Sequence, residues 1–129
     1  MTMTNIQALK ELVPVLSGIL VSESVSGDYH EYQCSSGGPF REVIVFRSKN
    51  VLVGRDWAPA GSVAFEHRHT KSIEYFIVIK GSVRCHMDGK FVDAKAGEHI
   101  YIPKDTPHSC EALTELAMLT IMIPAEEGI

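Results

Sequence analysis

At 129 residues the chain has the length of one domain, large enough to bury a core without disulfide staples. With 45% hydrophobic residues it is not a disordered chain, and it holds no run of eighteen apolar residues of the kind that spans a membrane. A formal net charge of −4 argues against nucleic-acid binding, which needs a basic face.

The N-terminus, MTMTNIQALKELVPV, lacks a basic region followed by an apolar stretch and a small-residue cleavage site, so no secretory signal is expected. Thr4-Asn5-Ile6-Gln7 has the form of a capping box, with Gln7 reaching back to Thr4. Ile6, Leu9, Leu12 and Val13 follow at helical spacing, and Pro14 limits the helix to about two turns. Residues 1–18 are therefore expected to be a helical extension packed outside the main domain, residues 19–129.

From Ile19 the chain becomes a succession of short strands separated by turn residues. The expected strands are 19–25, 29–34, 40–47, 51–57, 62–69, 73–80, 82–88, 91–94, 99–102, 108–112 and 116–123. Asp88-Gly89 is a strong hairpin signal between two of them. This pattern predicts an all-β sandwich or barrel. The three cysteines, Cys34, Cys85 and Cys110, are odd in number with no close pair, and read as free thiols of a reducing compartment. The expected location is the cytoplasm.

The chemistry concentrates in Gly61–Gly81, GSVAFEHRHTKSIEYFIVIKG. On a strand, residues two apart share a face, so His67 and His69 can aim two imidazoles at one point. Glu74, five residues on, opens the apolar run Glu74–Ile79, and a neighbouring strand can bring its carboxylate to the same point. A further histidine, His108, lies in a second segment that starts at Gly97. Three imidazoles and one carboxylate suit one divalent transition metal (iron, manganese, nickel, zinc or copper) rather than calcium or magnesium, which prefer all-oxygen shells.

These residues resemble the two motifs of the cupin superfamily. The first runs from Gly61 through His67, His69 and Glu74 to Gly81, and the second from Gly97 through Pro103 to His108, with fifteen residues between Gly81 and Gly97. The resemblance implies a double-stranded β-helix, or jelly-roll, barrel, with His67, His69, Glu74 and His108 as metal ligands. It also implies a small-molecule ligand or substrate, and it opens two classes of function. One is a metalloenzyme, with a dioxygenase (an oxidoreductase) as the first expectation, isomerases, decarboxylases and lyases as alternatives, and Glu74 as the catalytic base. The other is a binding or sensing module without turnover. Asp105 stands where the family has glycine and Ala112 where it has asparagine. Asp tolerates tight turns and Ala112 replaces no ligand, so the metal site is expected to survive both.

Strict alternation places Phe76 and Val78 on the face of Glu74, and Val63 and Phe65 in line with His67 and His69. Phe65, Phe76, Val78 and Tyr101 are the expected lining of a largely apolar cavity. Because both faces of Glu74–Ile79 are apolar, the outer one needs a second layer or another subunit, and small cupins resembling this chain are commonly homodimers. His30, His86 and His99 read as strand or surface histidines. Arg41, Arg55 and Arg68 are candidate anchors for an acidic substrate, with ordinary surface charge the favoured reading.

Overall fold

The structure is a computed structural model that describes residues 7–8, 10–11, 28–32 and 38–125. Ten strands run in chain order: β1 (Asp28–Tyr32), β2 (Phe40–Arg47), β3 (Leu52–Ala58), β4 (Val63–His67), β5 (Ile73–Lys80), β6 (Ser82–Met87), β7 (Lys90–Lys95), β8 (His99–Ile102), β9 (His108–Ala112) and β10 (Leu116–Ile123). They form a six-stranded sheet, β1-β2-β3-β10-β5-β8, and a four-stranded sheet, β4-β9-β6-β7. All pairings are antiparallel. From β3 onward the chain passes repeatedly from one sheet to the other, which is the jelly-roll connection.

One core fills the space between the sheets. The larger sheet contributes Phe40, Ala58, Phe76, Val78, Ile100, Ile102, Leu116 and Met118. Facing them from the smaller sheet are Ala64, Val83, Cys85, Ala94, Cys110 and Ala112. The alternation of strand side chains produces this division: on β5, Glu74, Phe76 and Val78 are buried while Tyr75, Ile77 and Ile79 between them are only half-buried. Those three, with Ile73, join a second cluster on the outer face of the larger sheet, around Val51, Val53, Leu119, Ile121 and Ile123. Every residue of β10 is buried, as its apolar sequence, broken only by Thr120, requires of a strand covered on both faces.

Part of that outer cover comes from the chain itself, since Ala8 is fully buried in the second cluster and the Ser48 hydroxyl donates to Glu11 at 2.8 Å. Gln7, Ala8, Lys10 and Glu11 have helical backbone, too few residues to establish the expected N-terminal helix. Its remaining residues, and the strand expected at 19–25, lie outside those described. Among the described residues no helix is long and apolar enough to cross a membrane.

The hairpin between β6 and β7 turns on Asp88 and Gly89, with φ of 51° and 69°. Two consecutive left-handed residues are the signature of the turn type whose twist matches antiparallel strands. Asp105, which replaces the glycine of the second motif, also has a positive φ, at 61°. Aspartate can adopt this left-handed conformation, so Asp105 holds the turn between β8 and β9.

Candidate metal centre

His67 ends β4 and His108 begins β9, and the two are cross-strand partners in the smaller sheet. Glu74 comes from β5 in the larger sheet. His69 lies beyond the end of β4, in the connection that crosses between the sheets. The four groups therefore meet across the interior of the barrel, not on two neighbouring strands of one sheet. Their ligand atoms all lie within 4.8 Å of one another. The ring centroids of His67 and His108 are 4.4 Å apart, and that of His69 lies 5.2 Å and 5.7 Å from them.

The connection carrying His69 is fixed at two points. The backbone N–H of Asp105 donates to the His69 carbonyl at 2.7 Å, and the buried Ser72 hydroxyl donates to the Pro124 carbonyl at 2.7 Å. An ion pair of Arg68 with Asp105 at 3.5 Å spans the same loops, but both side chains are more than half exposed, so it contributes little.

Hydrogen bonds to backbone decide which nitrogens face the centre. His67 Nδ1 lies 2.9 Å from the Phe65 carbonyl and His108 Nδ1 lies 2.9 Å from the Thr106 carbonyl. A carbonyl can only accept, so each Nδ1 carries the proton and each neutral ring offers its Nε2 lone pair inward. Burial lowers the His67 pKa, and the neighbouring His108 adds to this, which favours the neutral form that a metal requires.

The Glu74 carboxyl is 3% exposed. Burial works to raise its pKa; in the metal-free centre His108 and His69, when protonated, outweigh burial and hold it down to about 2, the role a bound cation would take over. Glu74 Oε1 approaches His108 Nε2 at 3.2 Å, and Oε2 approaches His69 Nε2 at 3.5 Å. Neither Glu74 Oε1 nor His108 Nε2 makes a well-formed hydrogen bond, although both are fully buried. Buried polar atoms without such partners are costly, and a shared cation is the partner that satisfies an imidazole lone pair and a carboxylate together. The donor set fits a transition metal.

The residues expected around the centre divide. Phe76 and Val78 are buried on the face of Glu74, and the Phe76 ring lies 6.2 Å from that of His108. Phe65 and Val63 do not line up with His67. The register shifts between Ala64 and His67, so that three steps along β4 match two along β9. The extra residue is a β-bulge, which turns Ala64 inward and leaves Phe65 47% exposed. Tyr101 is not brought to the centre either. It is the cross-strand partner of Tyr75 on the outer face, with the two rings 5.2 Å apart, while its neighbours Ile100 and Ile102 face in.

The interior is also less apolar than expected. Glu42 on β2 and Asp56 on β3 are register partners, 3% and 2% exposed. The Thr120 hydroxyl on β10 donates to Asp56 Oδ2. A Cβ at Gly54 would stand 2.4 Å from Glu42 Oε2, so the missing side chain in the middle of β3 is what makes room for this carboxyl. Burial, and then the Glu42 carboxyl, push the Asp56 pKa well up, which favours its protonated form. The signal in the sequence was a glycine and charged residues at inward-facing positions of two apolar strands.

A raised pKa in the folded state has a definite sign. The stabilisation is complete below the unfolded value, near 3.8, and is lost as pH rises through the folded value. Over that window Asp56 should cost up to about 1.4 kcal/mol of unfolding free energy per pH unit. Denaturant titrations of wild type and Asp56→Asn across pH 4–8 should show the variant with the flatter profile. Parallel profiles would contradict this.

Comparison with known proteins places these observations. A family model described as a cupin domain matches residues 56–124, which include all four cluster residues. An uncharacterized protein of Methanocaldococcus jannaschii is 28% identical over 83 residues, 62% of this chain and 66% of that protein, just short of two thirds of its length. The fold resembles that of KdgF from Halomonas sp., with a TM-score of 0.65 at 17% identity over 74% of this chain and 91% of that one. It also resembles a predicted oxalate decarboxylase of Thermotoga maritima, with a TM-score of 0.64 at 23% identity over 79% and 99%. A third likeness is to an RmlC-like cupin of Shewanella frigidimarina, with a TM-score of 0.65 at 18% identity over 82% and 95%. At these identities the structural likenesses speak for the fold alone.

Proposed function

This chain belongs to the cupin family, and from that premise we propose that it is a mononuclear metalloenzyme acting on a small organic molecule. The first reading is a dioxygenase, with isomerase, decarboxylase or lyase chemistry in the same class. The observation that carries it is the convergence of His67, His69, Glu74 and His108 on one point inside the barrel. His67, His69, Glu74 and His108 would hold a divalent transition metal, which would supply Lewis acidity there.

The chain's own residues do the rest. His67 and His108 are held with Nδ1 protonated, so they bind through Nε2 without rearrangement. A cation in the same place would keep Glu74 ionised and balanced in charge, and its carboxylate chemistry permits a role as base. Phe76 and Val78 give the interior shape without charge, which favours a compact, partly apolar substrate that chelates through a pair of oxygens.

The depth of the centre favours a second reading. With Glu74 3% and His108 0% exposed, the chain is also suited to hold a metal or small ligand without turnover. The test is oxygen uptake and product formation by iron(II)-loaded protein on diketones, phenolic acids and sugars, with Glu74→Gln in parallel. Turnover above free iron supports the enzyme. Tight binding of an unreacted ligand with no turnover on any of them supports the binding module.

We also propose a homodimer. Ile73, Tyr75, Ile77 and Ile79 stay only half-buried on the outer face despite the cover from Ala8, and a second copy would complete it. Sedimentation at micromolar concentration should give twice the mass of one chain, and a single monomeric species would contradict the dimer.

A further inference from the structure

Two nucleophilic side chains in the barrel interior take no part in the metal centre. Cys85 on β6 and Cys110 on β9 are register partners, 0% and 3% exposed. Their sulfurs lie 3.0 Å apart, as free thiols. The sequence shows no close pair of cysteines, because 25 residues separate these two. The pairing of β6 with β9 brings them together.

The backbone is already placed for a covalent bond. Directly opposed residues of an antiparallel pair have Cα atoms about 4.5 or 5.5 Å apart, depending on their place in the ladder. Disulfides span Cα separations of about 4.4–6.8 Å, so either class of pair is suitable. Both β6 and β9 are interior strands of the smaller sheet, held on each side by a neighbour. Closing the bond brings the two sulfurs from 3.0 Å to about 2.0 Å.

We propose that Cys85 and Cys110 are a dithiol–disulfide couple, closed to a cross-strand disulfide by exchange with a low-molecular-weight disulfide. In the first step the thiolate of one cysteine attacks the small disulfide, forming a mixed disulfide and releasing one small thiolate. In the second step the other cysteine thiolate attacks the protein sulfur of that mixed disulfide and releases the second small thiolate. Two protein thiols are oxidised and one small disulfide is reduced to two thiols, which take up the two protons. Burial shields both sulfurs in the finished barrel, so the exchange runs during folding, before the sheets close over the pair. The bond then ties together strands far apart in sequence and constrains the unfolded chain. This couple does not depend on the metal reading.

The test uses the full chain carrying Cys34→Ser, so that only this pair can react. It is refolded with oxidised and reduced glutathione and analysed without reductant. The product should be lighter by two hydrogen atoms, show no thiol after denaturation, and yield one cross-linked peptide joining residues 85 and 110. The bond should persist in about a tenfold excess of reduced over oxidised glutathione, as structural disulfides do. Its Tm should exceed that of the same sample after reduction by about 10 °C. In the same background Cys85→Ala should keep its remaining thiol and show no Tm change on reduction. A glutathione adduct on either cysteine, two thiols recovered from the folded product, or no Tm difference on reduction would overturn the proposal. If the chain does not refold from denaturant, mass and thiol count on the same chain secreted into an oxidising bacterial periplasm distinguish the same outcomes.

Discussion

Replacing His108 by Ala should weaken metal binding by more than about a hundredfold, beyond what is typical for losing a group that only supports a ligand. His108 is fully buried, its Nδ1–H is committed to the Thr106 carbonyl, and its Nε2 has no hydrogen bond. The ring therefore has one open task, and Ala cannot perform it. Removing the ring also leaves a void beside Phe76 and takes a neighbour from Glu74 Oε1, so some loss of stability is expected as well. His67→Ala separates the two effects, because His67 is only half-buried and its removal opens a smaller void. Competition against a chelator reports affinity, and thermal unfolding of the metal-free proteins reports stability. Wild-type affinity in both variants would contradict the assignment.

The second large effect belongs to Glu74→Gln. Glutamine keeps the size and one carbonyl oxygen of the side chain, so it can remain a weak neutral ligand. It loses the negative charge and the only carboxylate in the four-residue cluster. In an enzyme that uses Glu74 as a base, kcat should fall by about 10²–10⁴, the usual worth of a positioned acid or base. Metal affinity should fall less. Measuring both on one preparation settles which property the carboxylate serves, because equal losses would mean that Glu74 acts only as a ligand. In a binding module affinity changes and there is no turnover to lose.

The strands were legible to within a residue or two for β2 through β10, because turn residues bracket each apolar run. The four-residue cluster was legible as well, since His-x-His, Glu74 and His108 fall at a spacing that resembles a known motif pair. What local pattern could not supply is how the four cluster residues are shared out between the sheets. His69 is not on a strand, and Glu74 belongs to the sheet opposite His67 and His108. Those placements come from pairings between segments distant in the chain, to which a period of two is blind.

Each failure of the lining has a comparable cause. Alternation put Phe65 inside until the bulge after Ala64 reset the count. Tyr101 was expected in the cavity, yet strict alternation on β8 sends it outward between Ile100 and Ile102. The Glu42–Asp56 pair and the Cys85–Cys110 pair exist only through strand register. Neither has a motif of its own, and both became visible once β2 met β3 and β6 met β9.

The most direct measurement is a crystal structure of the zinc-loaded protein with anomalous scattering recorded at the zinc edge. The expected result is one strong anomalous peak per chain, about 2.0–2.2 Å from a nitrogen each of His67, His69 and His108 and from an oxygen of Glu74. A peak at some other set of residues, or a zinc-loaded structure in which the His108 ring points away from the other three, would contradict the account.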